Sequence, residues 1–285
     1  MEVMLPRSLD EALALKTEHP EAVPVAGGTD LMVAVNFGRA RPPALLDLSR
    51  VDELKTWQAE NGRVHLGAGV TFARIERELA GFRPLAQASR SVGSPQIRNR
   101  ATIGGNLGTA SPAGDGLLPL AAYDANVVVA SKAGMRSEPW HAFFVGPKRT
   151  TLAPDELIVG VEWNRVEGPG SFAKVGTRNA MVIAIAGLCL QLDAAARVAR
   201  LALGSVAPTV VRAPAAEALA AAAVPWDEPD RPLDDAVVAE FGSLAAAAAT
   251  PIDDVRGSAR YRRHAIDVLA QRALQWAVDD RRAEP

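Results

Sequence analysis

Apolar and polar positions recur with two periods along this chain, and the switches between them outline its elements. Ser8-Leu9-Asp10-Glu11 has the spacing of a capping box, with serine at the N-cap and glutamate three residues on. It predicts a short helix with Leu9, Ala12, Leu13 and Lys16 on successive turns, ended by Pro20. The apolar run Ala22–Ala26 predicts a strand, Leu31–Phe37 a helical turn, and Ala44–Leu48 another strand. Arg63–Gly67 alternates and reads as a strand, after which Gly67 and Gly69 turn the chain into a helix over Phe72–Leu79. Pro84–Ser91 and Leu117–Tyr123 predict helices; Val127–Ser131, Leu157–Trp163 and Phe172–Val175 predict strands. Beyond a boundary near Thr177–Ala180, Val182–Leu192 and Arg197–Gly204 read as a pair of strands. Pro214–Ala223 is an alanine-rich helix, and Pro225–Asp235 is a loop rich in proline and acid. Ser258–Asp280 carries the strongest helical signal, with Ile266, Leu269, Ala273 and Trp276 on one face.

Two glycine turns interrupt these elements. The first is Val25-Ala26-Gly27-Gly28-Thr29-Asp30-Leu31; the second is Thr102-Ile103-Gly104-Gly105-Asn106, running on to Asp115. Glycine reaches positive φ and has no Cβ to keep a ligand away from the backbone. Successive amides in such a turn can converge into an anion-binding nest. Neither turn contains lysine, so a phosphate held there relies on backbone N–H groups. Two such turns suggest a clasp around the pyrophosphate of a dinucleotide. A Gly-Gly pair after a strand is also a common plain turn, so the pattern alone leaves both readings open. The stretch Gly67-Ala68-Gly69-Val70-Thr71-Phe72 fails the nucleotide fingerprint GxGxxG, because Phe72 stands where the third glycine belongs.

Composition narrows the chemistry. A chain of 285 residues has the volume of about two domains. The net charge of −2 gives no electrostatic case for nucleic acid or an anionic membrane. No apolar run approaches the roughly 20 residues that span a bilayer, and the N-terminal stretch lacks a signal-peptide layout, so the cytoplasm is the expected location. The single cysteine, Cys189, sits in an apolar run and reads as a buried small hydrophobe. Alone it can neither close a disulfide nor hold an iron–sulfur cluster, which takes about four thiolates. His19, His65, His141 and His264 share no metal-ligand spacing. No residue is therefore assigned to catalysis or to a metal.

The detail of the two turns carries a resemblance. AGGTDL together with RNRATIGGNLGTASPAGD resembles the FAD-binding medium subunit of the molybdenum hydroxylases, the family of xanthine dehydrogenase and carbon monoxide dehydrogenase flavoproteins. It covers nearly the whole chain, most strongly over 22–37, 92–130 and 154–178, and more weakly after 205. It implies an α+β fold: two α/β FAD-binding subdomains (PCMH-like) at 1–56 and 57–176, with extended FAD between them. A small α+β C-terminal domain at 177–285 follows.

Carried over residue by residue, the resemblance places Gly27, Gly28, Thr29 and Asp30 on one side of the FAD pyrophosphate, with Thr102, Gly104, Gly105 and Asn106 on the other. Val25, Ala26 and Leu31 would pack beside the first turn. Thr109 would close over the cofactor, and Asp115 would anchor it through a ribose hydroxyl or an N–H; Asp115 also suits the N-cap of the helix after it. Ile158, with Leu157 as the alternative, would lie against the isoalloxazine. Lys174 would place a cation near it, and Val92 would pack nearby. The stretch Asn179-Ala180-Met181-Val182 lacks an acidic residue that many relatives show.

The resemblance further implies a large partner subunit with the molybdenum cofactor and a small one with two [2Fe–2S] clusters, assembled as a heterohexamer. Electrons would reach FAD and leave to NAD, quinone or oxygen. A stand-alone FAD-dependent oxidase is the alternative.

Overall fold

The computed structural model describes residues 2–283. Its first part runs β1 (Glu2–Met4), α1 (Leu9–Glu18), β2 (Val23–Val25), α2 (Leu31–Asn36) and β3 (Ala44–Asp47). Next come β4 (Trp57–Glu60), β5 (Arg63–Gly67), α3 (Phe72–Glu78), α4 (Arg83–Ser91), α5 (Pro95–Arg98), α6 (Ile103–Thr109) and α7 (Leu117–Ala122). The middle holds β6 (Asn126–Ser131), β7 (Gly134–Pro139), α8 (Trp140–Phe143), β8 (Phe144–Gly146), β9 (Arg149–Thr150) and β10 (Leu157–Asn164). The rest is β11 (Gly170–Val175), β12 (Ala186–Asp193), β13 (Val198–Gly204), β14 (Val211–Arg212), α9 (Pro214–Ala223), α10 (Asp235–Ala247) and α11 (Ala259–Ala283). This is the expected mixture of helix and sheet.

The chain folds into two compact units, each discontinuous in sequence. Among the described residues the first gathers 2–75, 94–111 and 124–164; the second gathers 76–93, 112–123 and 165–283.

In the first unit, β1 and β2 flank β3 in a parallel three-stranded sheet. Parallel neighbours need crossover connections, and α1 and α2 supply them. Ser8 caps α1 by accepting the Glu11 N–H, as the capping box predicts, while the Glu11 carboxylate reaches back to the Arg7 N–H. Lys16 is buried, and its ammonium donates to the carbonyls of Pro20 at 2.8 Å and Ala22 at 2.7 Å. A second, antiparallel sheet has the order β4-β5-β10-β6-β7. Leu157 and Val159 of β10 join Leu13, Leu46 and Leu54 in this unit's core.

The second unit is an antiparallel sheet, β11-β12-β13-β14, covered by α9, α10 and α11. Leu188, Leu190 and Leu192 of β12 and Leu201 and Leu203 of β13 are fully buried in a core shared with those helices. Each contributes about 1.5–3 kcal/mol relative to exposure. On α11, Ile266, Leu269 and Ala273 pack as predicted, but Trp276 is 46% exposed and Ala277 is buried instead. At 3.6 residues per turn the buried stripe steps four places from Ala273, which takes it past Trp276. Cys189 is fully buried, and loss of water pushes its thiol pKa up, against a smaller opposing pull from Arg212. A thiol in that state is a packing group. No helix among the described residues is long and apolar enough to cross a membrane.

Candidate functional site

The first glycine turn connects β2 to α2. Gly28 has φ +73°, the left-handed conformation that glycine takes without strain. Gly27 packs directly on the backbone of Arg100, where a Cβ would overlap the Arg100 carbonyl. The first glycine turn therefore packs backbone to backbone on the residues that lead into the second. The amides of Gly27, Gly28, Thr29 and Asp30 donate to no partner among the described residues. The Thr29 hydroxyl is likewise free among them. Buried amides are almost always paired, so four consecutive free ones at a partly exposed turn form a row of donors open to an acceptor. Val25 and Leu31, both partly buried, border the turn, and the Met32 side chain lies 3.2 Å from where a Gly28 Cβ would stand.

The second turn is built differently and corrects the expectation of a second amide nest. Thr102 is the N-cap of α6, and its hydroxyl accepts the Gly105 N–H at 3.0 Å. The Ile103 N–H donates to Val70, the Gly104 N–H to Ala68, and the Asn106 N–H to the Thr102 carbonyl. All four amides are thus consumed by the fold. Gly104 is needed for contact rather than for binding, because a Cβ there would lie 2.5 Å from the Ala68 Cβ and 2.7 Å from its carbonyl oxygen. Gly104→Ala is expected to destabilise the protein by about 1–3 kcal/mol through overpacking. A urea titration would show this as a lower midpoint; an unmoved midpoint would contradict the close approach.

What α6 offers a ligand is its outer face. Gly105 is exposed, and a Cβ there would meet only the Thr102 hydroxyl at 3.2 Å. Gly108, one turn on, is also exposed, and the end of the Ile158 side chain lies 3.6 Å from where its Cβ would stand. The end of Ile158 therefore reaches the side on which α6 presents bare backbone, whereas Leu157 belongs to the core. Asn106 has a buried amide oxygen with no partner among the described residues, and the Thr109 hydroxyl donates to Asp30 at 3.4 Å, tying the two turns together. Sequence reasoning misses Gly108. Its spacing of three from Gly105, which puts both on one helix face, is the signal that could find it.

Asp115, Lys174 and Val92 lie in the second unit. The Lys174 ammonium donates to Asp115 at 2.5 Å, to the Ser91 carbonyl at 3.0 Å and to the Val182 carbonyl at 3.3 Å. Its three donors are committed and its charge is balanced by Asp115, so two residues that the resemblance assigns to the cofactor stand together. The Ser91 hydroxyl also donates to Asp115 at 3.0 Å. Asp115 does not cap α7: the N-cap is Gly116, with no side-chain cap bond. Burial pushes the Asp115 carboxyl pKa above its ordinary value, opposed by the charge and hydrogen bond of Lys174 and the bond from Ser91. Val92 ends α4, its N–H donating to the Ser89 carbonyl.

Among the described residues no group of histidines, cysteines and acids is placed to hold a metal. Comparison with known proteins identifies the architecture. Residues 1–163 match the FAD binding domain in molybdopterin dehydrogenase, and residues 171–277 match the CO dehydrogenase flavoprotein C-terminal domain. The chain is 36% identical to the nicotinate dehydrogenase FAD-subunit of Eubacterium barkeri, over 65% of this chain and 66% of that one. It is 32% identical to the nicotine 6-hydroxylase medium subunit of Paenarthrobacter nicotinovorans, over 94% of each. A chain of carbon monoxide dehydrogenase from Hydrogenophaga pseudoflava superposes with a TM-score of 0.86 at 28% identity, over 98% of both. With one domain of the family matched over more than half its length and the second after it, the chain belongs to the FAD-binding flavoprotein subunits of the molybdopterin dehydrogenases.

Proposed function

We propose that this protein is the flavoprotein component of a heteromeric molybdopterin dehydrogenase, and that its first glycine turn holds the FAD pyrophosphate. The observation that carries this is the row of four free amides at Gly27–Asp30, set against the exposed glycine face of α6. The residues fit the group. Gly28 keeps the backbone open, Thr29 adds a hydroxyl donor, and the unpaired oxygen of Asn106 accepts an N–H or O–H. Gly105 and Gly108 let a flat ligand approach the helix, and Ile158 offers it an apolar contact. Thr102 and Gly104 support this wall from behind. Asp115, Lys174 and Val92 are assigned to the second unit's own architecture.

When bound, FAD supplies a centre that accepts and releases electrons, and the protein's part is to bind, orient and tune it. No side chain of this chain is assigned as acid, base or nucleophile. The relatives are named as FAD or medium subunits, which supports a multi-chain assembly. In the proposed route a large partner carries the molybdenum cofactor and oxidises substrate. A small partner passes electrons through two [2Fe–2S] clusters to this subunit, and NAD, quinone or oxygen receives them, in the cytoplasm. Purification from the native host through a tag on this chain tests the route. Flavin with iron and molybdenum in fixed ratio supports it; flavin with neither metal and no second chain would replace it with a stand-alone oxidase.

A further inference from the structure

Two loops of the second unit stand side by side and expose apolar side chains on braced backbone. The first is 176–185. Val182 packs onto Gly176 and its carbonyl takes a hydrogen bond from Lys174, while the Arg178 guanidinium holds the carbonyls of Ala180 and Met181. Met181 has φ +51°, and both Met181 and Ile183 are more than half exposed. The second loop is 251–258. The Asp254 carboxylate accepts from the Arg256 N–H at 2.8 Å, the Gly257 N–H at 3.2 Å and the Arg262 guanidinium at 2.6 Å. This turn presents Ile252, 72% exposed, and Val255, which is fully exposed. Arg262 is buried and also donates to the Ile185 carbonyl, stitching the loops together. A Cβ at Gly257 would touch both Ile185 and Tyr261, so the half-exposed Tyr261 ring lies between the loops.

Loops that expose this much apolar surface ordinarily move. These are held by hydrogen bonds, and contiguous exposed apolar surface on a rigid frame marks an interaction site. Its charge identifies the partner. Asp254 pairs with Arg262 and Arg256, and Asp253 accepts the Ala259 N–H and keeps its charge, so two carboxylates stand against the five guanidinium groups of Arg178, Arg256, Arg260, Arg262 and Arg263. Arg256, which pairs with Asp254 at 3.4 Å, and Arg260 and Arg263, which follow the second loop at the start of α11, are exposed, and Arg178 bonds only to carbonyls. A second copy of this chain is disfavoured, because a two-fold interface would set this basic rim against itself.

We infer that this surface, centred on Val255 and Tyr261, docks an acidic face of another protein subunit of the same dehydrogenase complex. The inference rests on the reading of this chain as one subunit of an assembly. Val255 touches nothing that the fold needs, so Val255→Asp should leave the chain folded and its FAD content unchanged.

The complex is purified through a tag on this chain as wild type, Val255→Asp and the double variant Arg256→Glu/Arg260→Glu. The wild type should elute with its partner chains, with residues 178–185 and 251–261 protected from hydrogen exchange relative to the free subunit. Val255→Asp should elute mostly as the free, flavin-loaded subunit, and the charge-reversed variant should bind its partners at least about tenfold more weakly. Partner retention by both variants, with equal exchange in free and assembled chains, would overturn the surface and leave the subunit reading intact. A wild type that carries FAD but elutes alone would overturn both. Self-association through these residues, or their binding to phosphatidylglycerol vesicles in place of a protein, would also overturn the proposal.

Discussion

Replacing Gly105 with valine is expected to strip FAD from the protein while leaving it folded. Gly105 is exposed, and its only close neighbour is the Thr102 hydroxyl. Its amide is bonded to that hydroxyl, which has to give by a few tenths of an ångström to admit a Cβ. Valine is a better helix residue than glycine, so stability should change by less than about 1 kcal/mol. The isopropyl group would stand on the bare face of α6, where the cofactor approaches. FAD affinity should fall by about 100-fold or more, equivalent to about 2.7 kcal/mol. Gly28→Val should lose FAD as well, but φ +73° also strains a β-branched residue there, so Gly105 separates binding from folding more cleanly. Titration of each apoprotein with FAD, followed by flavin fluorescence, reads the effect. A Gly105→Val protein that binds FAD as tightly as wild type would remove α6 from the site.

Lys174→Met should produce the largest loss of stability, and that loss should depend on pH. Removing one partner of a buried ion pair leaves the other charge uncompensated and typically costs about 3–5 kcal/mol. Here the abandoned group is Asp115, which is buried and keeps only the Ser91 hydroxyl as a side-chain partner. Burial already raises its pKa in the folded state, and Lys174 opposes that rise. Without Lys174 the folded-state value climbs further above the unfolded value of about 3.9. The folded variant then binds the proton more tightly than the unfolded chain. Its stability is greatest in acid, below the unfolded pKa, and drains away as pH rises through the raised folded pKa. The gap between wild type and variant should therefore be small near pH 4 and widest near pH 8, in denaturant titrations at both. A gap independent of pH would show that Asp115 does not depend on Lys174. Asp115→Asn in the Lys174→Met background should recover much of the loss at pH 8, because the amide needs no counter-charge.

Elements written in local pattern are legible in the sequence. The capping box at Ser8, the strands Val23–Val25 and Ala44–Asp47, the helix Pro214–Ala223 and the start of α11 all rest on spacing within a few residues. The glycine turns are legible as special backbone because Gly28 takes φ +73° and a Cβ at Gly27 or Gly104 would overlap a neighbouring backbone. Features set by distant partners are not legible. Asn106 and its neighbours form a true helix, although three glycines argue against one, because Thr102 caps it and Ala68 and Val70 take its first amides. The pairing of Lys174 with Asp115 is not legible because the two lie 59 residues apart along the chain. Helix α10 gives little signal because its alanine-rich sequence has almost no polar face, and its burial depends on α11.

Flavin stoichiometry of the purified native protein tests the central claim most directly. The account predicts a yellow protein that releases about one FAD per chain on acid denaturation and takes FAD up again when refolded. A folded, colourless protein that does not bind added FAD would contradict it.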